Sequence, residues 1–332
     1  IYSKKSYTQF SNCIQCLRVF SEVLINCQIS SNVMAAGTSI ATCLPCSIAY
    51  TPISAWCFQS VAVLADVLIE AEGKLYTAAA NQEGGWSGWR PFRIIDKVAE
   101  SSEITSFYFA PTDGGPLPAF RPGQYTTLRV FVPEWGVTQP RQYTLSDAPG
   151  LPHLRISVKR EDATDATPAG RVSNLLHASY NKGDIIDLAV PFGDFYLHED
   201  RHTPVVLISG GVGVTPMISM LKHLISTAKD RQVQFIHTCR NAGVLAFGAR
   251  LHKAAADNPQ LEVRIFHDAG PVAEFGVIDS LDLGRLALPA DADYYLCGPD
   301  GFLRAHIARL HELGVDSARI HAEVFSTGGV AV

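Results

Sequence analysis

A glycine-rich turn follows an uninterrupted apolar run in the second half of the chain. The run Val205–Ser209 is typical of a strand that is buried on both faces of a parallel sheet. The turn that follows is a candidate for binding a dinucleotide, because glycines let the backbone approach a pyrophosphate and the next helix start supplies N–H donors. Its residues are Gly210, Gly211, Val212, Gly213, Val214, Thr215 and Pro216.

Two further strand ends carry candidate binding residues. Cys297, Gly298 and Pro299 lie between a predicted strand and a predicted helix, where ligands bind in α/β sheets. The alternative interpretation of Cys297 is a small buried thiol. Arg240 follows the strand Val233–His237 and is a candidate contact for the adenosine ribose. No acidic residue stands beside Arg240 to select a 2′-hydroxyl, so the sequence leaves NADH and NADPH open.

The elements that must position these residues fall into two kinds. Four predicted strands alternate with helices over residues 203–332, which indicates a doubly wound parallel α/β domain. These strands are Val205–Ser209, Val233–His237, Leu261–His267 and Asp293–Cys297. Six short strands without long helices between them occupy residues 88–202, which indicates an antiparallel barrel. They are Arg93–Val98, Ile104–Ala110, Tyr125–Phe131, Gln142–Leu145, Leu154–Val158 and Ile185–Leu188.

A tetrapeptide on the fourth barrel strand carries a family resemblance. The run Arg141, Gln142, Tyr143 and Thr144 resembles the FAD signature of the ferredoxin-reductase-like family, and Gly123-Gln124-Tyr125 matches as well. The resemblance implies an FAD-binding Greek-key barrel in which Arg141 meets the FAD pyrophosphate and Tyr143 packs on the flavin. It implies that the Thr144 hydroxyl makes a hydrogen bond near the reactive nitrogen of the flavin and that Tyr125 contacts FAD. It also implies that Gly170 and Ser173 receive FAD phosphates at a helix start.

The nicotinamide half resembles the same family. Its glycine turn matches the G-G-x-G-x-[ST]-P pattern, and the resemblance places Cys297 beside the nicotinamide ring. Near the C-terminus, Glu323, Val324 and Phe325 match an element whose aromatic ring covers the flavin and whose Glu lies nearby. By this resemblance Thr144, Cys297 and Glu323 are the candidate catalytic residues.

The resemblance narrows to the flavohemoglobins, which are nitric oxide dioxygenases. It rests on the linker 84–92, on Ile104–Phe107 and on Ile156–Glu161. An apolar stripe at helical spacing over residues 61–79 resembles the last helix of the globin domain, so residues 61–87 are predicted to be that remnant helix and a linker. The resemblance implies an FAD-dependent NAD(P)H oxidoreductase, which passes electrons to a haem protein or to another acceptor.

Haem is not expected on this chain. A haem globin needs a proximal imidazole upstream of its last helix, whereas all 11 histidines lie at or after His153. The resemblance therefore predicts a reductase module without the oxygen-binding head, which cannot oxidise nitric oxide by itself. Three alternatives stay open: a nitric oxide dioxygenase by descent, a stand-alone reductase for a separate iron–sulfur partner, and an inactive truncated remnant.

Residues 1–60 differ in composition from the rest of the chain. They hold six of the eight cysteines, and no charged residue occurs between Glu22 and Asp66. The pairs Cys13/Cys16 and Cys43/Cys46 have the spacing of a zinc ribbon, but no glycine flanks them to form the tight turns. We expect an atypical segment, either disordered or from a non-native reading frame, with no metal site. Prolines and scattered polar residues argue against a membrane span.

Overall charge excludes one class of partner. The net charge is −5 and no Lys/Arg-rich run occurs, so nucleic acid is not an expected partner.

After residue 60 the chain has only Cys239 and Cys297, which implies no disulfide framework and predicts a cytoplasmic location.

Overall fold

The computed structural model describes residues 72–165, 167–267 and 281–325. The described residues from Tyr76 onward belong to one compact unit. Helix α1 spans residues 72–81, so most of the predicted helix 61–79, like all of residues 1–60, lies outside the described residues. The linker that follows is fixed to the barrel, since the Trp86 indole donates a hydrogen bond to the Leu188 carbonyl at 3.0 Å.

The first half of the compact unit is a six-stranded antiparallel barrel. Its elements are β1 (Arg90–Ala99), β2 (Ile104–Pro111), β3 (Tyr125–Val132), β4 (Val137–Thr144), β5 (Leu154–Lys159), helix α2 (Arg171–Ser179) and β6 (Ile185–Leu188). The strand order is β4-β3-β6-β1-β2-β5. An antiparallel bridge between Leu145 and Ile156 joins the two outer strands and closes the sheet.

Period-two alternation explains how the barrel fills its interior. On β3, Leu128, Val130 and Val132 are buried, because successive side chains of a strand point to opposite faces. Helix α2 covers part of the same core with Val172 and Leu176.

The second half is a five-stranded parallel sheet with helices on both faces. Its elements are β7 (Val205–Gly210), α3 (Val214–Thr227), β8 (Val233–Cys239), α4 (Gly248–Asp257), β9 (Leu261–His267), β10 (Asp293–Gly298), α5 (Asp300–Glu312) and β11 (Ile320–Val324). The strand order is β11-β10-β7-β8-β9. On β7, Val205 and Leu207 join the core beneath α3 and α4, whereas Val206 and Ile208 join the core beneath α5.

The predicted fold class is confirmed, with two differences in detail. Strand β4 begins at Val137 rather than at Gln142, because residues 137–144 pair with β3 in a hairpin that the mixed polar sequence hides. Strand β11 was not predicted as a strand. The boundaries 88–202 and 203–332 stay predictions.

Candidate functional site

The predicted glycine turn and the predicted cysteine lie against each other at one edge of the parallel sheet. Gly211–Gly213 form a single 3₁₀ turn between β7 and α3, and Cys297 is the second-to-last residue of β10, the strand paired beside β7. A Cβ on Gly213 would overlap the Cys297 carbonyl and would lie 2.8 Å from the Gly298 nitrogen. Only glycine lets this turn reach the end of β10.

Helix α3 starts without a side-chain cap. Its N-cap is Gly213, and the Thr215 hydroxyl donates to the Val212 carbonyl at 3.1 Å rather than capping the helix. The first N–H groups of a helix have no partner within the helix and attract anions. Here the Val214 N–H donates to the Gly211 carbonyl and Pro216 has no N–H, so the glycine turn itself must supply donors. Residues 210–216 therefore fit the pyrophosphate of a nicotinamide dinucleotide.

Cys297 is a neutral thiol in this setting. It is fully buried, and burial, with a smaller contribution from Glu323, raises its pKa well above the ordinary value. Cys297 pairs in register with Glu323 on β11, and the Phe325 N–H donates to the Gly298 carbonyl at 3.2 Å. The structure thus brings Cys297, Glu323 and Phe325 together, and Cys297 contributes shape rather than a thiolate.

The predicted flavin residues share two hydrogen-bonded strands. Thr144 pairs with Tyr125 and Tyr143 with Thr126. Arg141 is exposed, and its guanidinium donates to the Pro140 carbonyl at 2.7 Å. Burial raises the pKa of Tyr143, with Arg141 opposing, so the phenol stays protonated.

Tyr125 sits in a cradle that requires glycine. Its ring lies 4.9 Å from that of Phe192, centroid to centroid. A Cβ on Gly193 would lie 3.0 Å from the Tyr125 ring. This close approach leaves the ring beside the end of β4, as a flavin contact requires.

The predicted phosphate-binding start of α2 is held by the preceding loop. Gly170 is the N-cap and gives no side-chain cap. The Ser173 hydroxyl donates to the Gly170 carbonyl at 3.1 Å and accepts from the Glu161 N–H at 3.3 Å. Glu161 also contributes to the raised pKa of Tyr143, since this loop lies near β4. The helix start therefore fits a flavin phosphate, whereas the Ser173 hydroxyl is engaged by the loop.

A buried carboxylate that sequence reasoning missed joins the two halves. Asp147 follows β4, and its carboxylate forms ion pairs with Lys222 of α3 and with Arg155 of β5. The Ser219 hydroxyl, also on α3, donates to the Asp147 carbonyl at 2.7 Å. Burial acts to raise the pKa of Asp147, but Arg155 and Lys222 outweigh it and hold that pKa below its usual range.

Arg155 is the buried partner of this cluster. Its side chain is 1% exposed, and its guanidinium lies 5.3 Å from the ring centroid of Phe247 in the parallel-sheet half. Phe247 has a φ of 63°, which is uncommon for a bulky residue. An arginine in the predicted strand Leu154–Val158 was the only signal in the sequence, and it does not identify a partner.

Arg240 lies where the sequence placed it, directly after β8. It is exposed and pairs with Glu103 from the barrel, a partner that the sequence does not reveal. In the described ranges no group of three or more His, Cys, Asp or Glu could hold a metal, and no helix there is long and apolar enough to cross a membrane. The cysteine pairs of residues 13–46 lie outside these ranges.

Comparisons with known proteins agree with this geometry. Residues 207–307 match the sequence family of oxidoreductase NAD-binding domains. The flavohemoprotein of Chromobacterium violaceum is 51% identical over 283 residues, which cover 83% of this chain and 70% of that protein. The flavohemoprotein of Bordetella pertussis is 50% identical over 84% of this chain and 71% of its own length.

Solved structures extend the agreement to the fold. The FAD/NAD-binding domain of nitric oxide dioxygenase from Vibrio cholerae has a TM-score of 0.68 at 38% identity, covering 71% of this chain and 98% of that domain. The barrel, the parallel sheet and these matches define an NAD(P)H-dependent flavin oxidoreductase with FAD as its flavin. The chain belongs to the flavohemoprotein family.

Proposed function

We propose that this chain carries reducing equivalents from NAD(P)H through FAD to a haem acceptor, with both cofactors held by the residues described above. The anchoring of α3 to the end of β4 by Asp147, Ser219 and Lys222 carries the proposal. That one helix begins at the nicotinamide turn and is tied to the flavin strand. Both cofactor sites therefore have a common rigid support.

Within this proposal each group of residues has a separate task. The turn 210–216 holds the dinucleotide phosphates, while Arg141 and the start of α2 hold those of the flavin. When bound, the nicotinamide and FAD supply the hydride and electron chemistry. Protonated Tyr143 packs on the flavin and donates a hydrogen bond, and the Thr144 hydroxyl orients the reactive edge. The remaining proposed contacts are Gln142, Tyr125, Gly170, Ser173, Val324 and Phe325.

Cys297 is the proposed wall of the nicotinamide site. Because its thiol is neutral and fully buried, it cannot act as a nucleophile, and its size determines how closely the ring approaches. Glu323, in register beside it, is proposed to tune the flavin edge. Misplacing a reacting group by about 1 Å costs on the order of 100-fold in rate.

The first test is an anaerobic absorbance spectrum of the full chain with added FAD and haem, before and after NADH. Flavin bands that bleach on reduction support the proposal. Flavin bands that NADH or NADPH never bleaches would refute it. A Soret band would refute the prediction that this chain holds no haem. Equal transfer to cytochrome c and to a [2Fe–2S] ferredoxin would count against a haem-specific acceptor.

A pair of buried cysteines provides a matched test of the site. Cys239 is the last residue of β8 and Cys297 the second-to-last residue of β10, and the Cys239 Sγ is hydrogen-bonded to the His267 Nδ1 at 3.3 Å. We expect Cys297→Ala to slow flavin reduction by NADH roughly tenfold or more, measured by stopped flow. Cys239→Ala should leave that rate within about twofold. A twofold change corresponds to well under the 1.4 kcal/mol of activation free energy that a tenfold change requires, that is, about 0.4 kcal/mol. Equal rates for the two variants would contradict the assignment of Cys297 to the nicotinamide site.

The cytoplasmic location inferred from the sequence stays a prediction.

A further inference from the structure

The turn between β1 and β2 fastens the barrel to the segment that follows β8. The Ser102 N–H donates to the Gly243 carbonyl at 3.1 Å. Glu100 pairs with Arg250 at 3.1 Å, and Glu103 pairs with Arg240. Two acidic residues of one half thus hold two arginines of the other.

Glu103 is held in place more firmly than a typical surface acid. Its side chain is 21% exposed, whereas that of Arg240 is 64% exposed. Its own N–H donates to the Ser101 hydroxyl at 3.3 Å, and its carbonyl accepts from the Arg160 N–H at 2.8 Å. The backbone of Glu103 is therefore fixed within the barrel, and Arg240 is the more exposed partner of the pair.

The position of Arg240 on the sheet relates this ion pair to the dinucleotide site. Strand β8 pairs with β7 in parallel register, with Gly210 beside Thr238. Adjacent strands lie about 4.8 Å apart. Arg240 is therefore one strand away from the glycine turn 210–216, at the same edge of the sheet. In doubly wound sheets the residue at this place reads the ribose: an acid bonds the 2′-hydroxyl, whereas an arginine accommodates a 2′-phosphate.

The segment after β8 has no acid of its own. Residues 239–244 are Cys, Arg, Asn, Ala, Gly and Val. On the sequence alone, Arg240 is the one feature that points to a 2′-phosphate, and the choice between NADH and NADPH stays open. In the fold, an acid is supplied by the barrel: Glu103, which is 137 residues earlier in the chain, pairs with Arg240.

We propose that Glu103 is the residue that selects NADH over NADPH, by neutralising Arg240 and presenting a carboxylate to the ribose 2′ position. The proposal rests on the nicotinamide site of the proposed function. A 2′-phosphate carries a charge of about −1.5 to −2 and would meet a carboxylate of the same sign. A 2′-hydroxyl would instead donate a hydrogen bond to that carboxylate.

The test compares Glu103→Gln with Glu100→Gln in the full chain with FAD. Both variants remove one acid of the same turn from an ion pair with an arginine, but only Glu103→Gln frees Arg240. We expect the ratio of kcat/KM for NADPH to that for NADH to rise at least tenfold in Glu103→Gln, which corresponds to about 1.4 kcal/mol. Glu100→Gln should leave the ratio within about twofold, and Arg240→Gln added to Glu103→Gln should abolish the gain.

Equilibrium binding provides a readout that is independent of turnover. In calorimetry, Glu103→Gln should bind adenosine 2′,5′-bisphosphate about tenfold more tightly than the wild type, with adenosine 5′-monophosphate little changed. This gain in affinity should shrink as the ionic strength rises from about 0.05 M to about 0.5 M, because salt screens the attraction between Arg240 and the 2′-phosphate.

Three results would overturn the inference. The nicotinamide ratio of Glu103→Gln could equal that of the wild type while NADH still reduces the flavin. Glu100→Gln could shift the ratio as much as Glu103→Gln does, which would mean that Glu103 only fastens the two halves. A wild-type chain that neither nicotinamide reduces would instead refute the proposed function, and this inference with it.

Discussion

Replacing Gly213 with alanine tests the contact on which the proposed nicotinamide site depends. Gly213 has φ −59° and ψ −7°, values that any residue adopts, so alanine costs nothing in backbone conformation. The added Cβ would overlap the Cys297 carbonyl and lie 2.8 Å from the Gly298 nitrogen. These neighbours are backbone atoms in a fully buried strand end. They cannot swing aside as a side chain would, so either the turn or β10 must move.

The size of the effect follows from that overlap. Inserting a methyl group into a packed site costs typically 1–3 kcal/mol and occasionally more, and backbone neighbours place Gly213→Ala at about 3 kcal/mol. Two other glycines separate the possible causes. Gly211 has a φ of 56° and open space around its Cβ position, so Gly211→Ala should cost about 1–2 kcal/mol through backbone strain alone. Gly301, in α5, also has open space and should gain up to about 1 kcal/mol as alanine.

The assay combines urea unfolding, followed by circular dichroism, with stopped-flow reduction of the flavin by NADH. We expect the free energy of unfolding to fall in the order Gly301→Ala, wild type, Gly211→Ala, Gly213→Ala. Flavin reduction in Gly213→Ala should slow on the order of 100-fold, because a shift of about 1 Å at the turn misplaces the ring. A Gly213→Ala protein that is as stable and as fast as the wild type would refute the close approach of the turn to Cys297.

Three further predictions concern charge at buried and exposed positions. Asp147→Asn leaves Arg155 buried without its carboxylate and should lower the free energy of unfolding by about 3–5 kcal/mol in urea; an unchanged value would refute the buried pair. Burial lowers the pKa of His237 to about 4 from 6.5, so the unfolded chain binds the extra proton between these values. Stability should therefore fall as pH drops from 6.5 to 4, by up to about 3 kcal/mol, and His237→Gln should flatten that dependence in denaturation at several pH values. Arg141→Ala should weaken FAD binding roughly tenfold in a fluorescence titration, whereas Arg93→Ala on β1 should not; equal affinities would contradict the phosphate role of Arg141.

Local patterns were sufficient to predict most strands, because each strand carries its own burial code. Ile185–Leu188 and Leu261–His267 have the predicted bounds, and Val205–Ser209 extends by only one residue. Strand β4 was predicted five residues too short at its start. Its first residues, Val137–Gln139, are largely exposed in a hairpin, so they lack the alternation that marks a half-buried strand.

The glycine turn was predictable for the same reason. A buried strand, a glycine cluster and a helix start are consecutive in the sequence, so the site at the sheet edge is local information. The proximity of Cys297 to Gly213 is not local, and only the sheet order with β10 beside β7 supplies it. The resemblance implied that Cys297 lies beside the nicotinamide ring, but it did not place Cys297 against Gly213. That contact is supplied by the fold.

The charged contacts between the halves were beyond any local pattern. Asp147 and Lys222 are 75 residues apart, and Glu103 and Arg240 are 137 residues apart. No periodicity in either segment encodes such a pair. The conclusion from sequence that Arg240 has no acidic neighbour was correct along the chain and wrong in space.

These ion pairs give the two acids different roles in one reductase. The Asp147 carboxylate is 5% exposed and meets a buried arginine, so its loss leaves an uncompensated charge and loosens the support of both cofactor sites. Glu103 pairs with an exposed arginine, and an exposed pair of this kind contributes little to stability. We propose that Glu103 acts on the choice of nicotinamide instead, because its partner Arg240 lies one strand away from the glycine turn. Glu103→Gln should therefore change the choice of nicotinamide with little change in the free energy of unfolding, whereas Asp147→Asn should do the reverse.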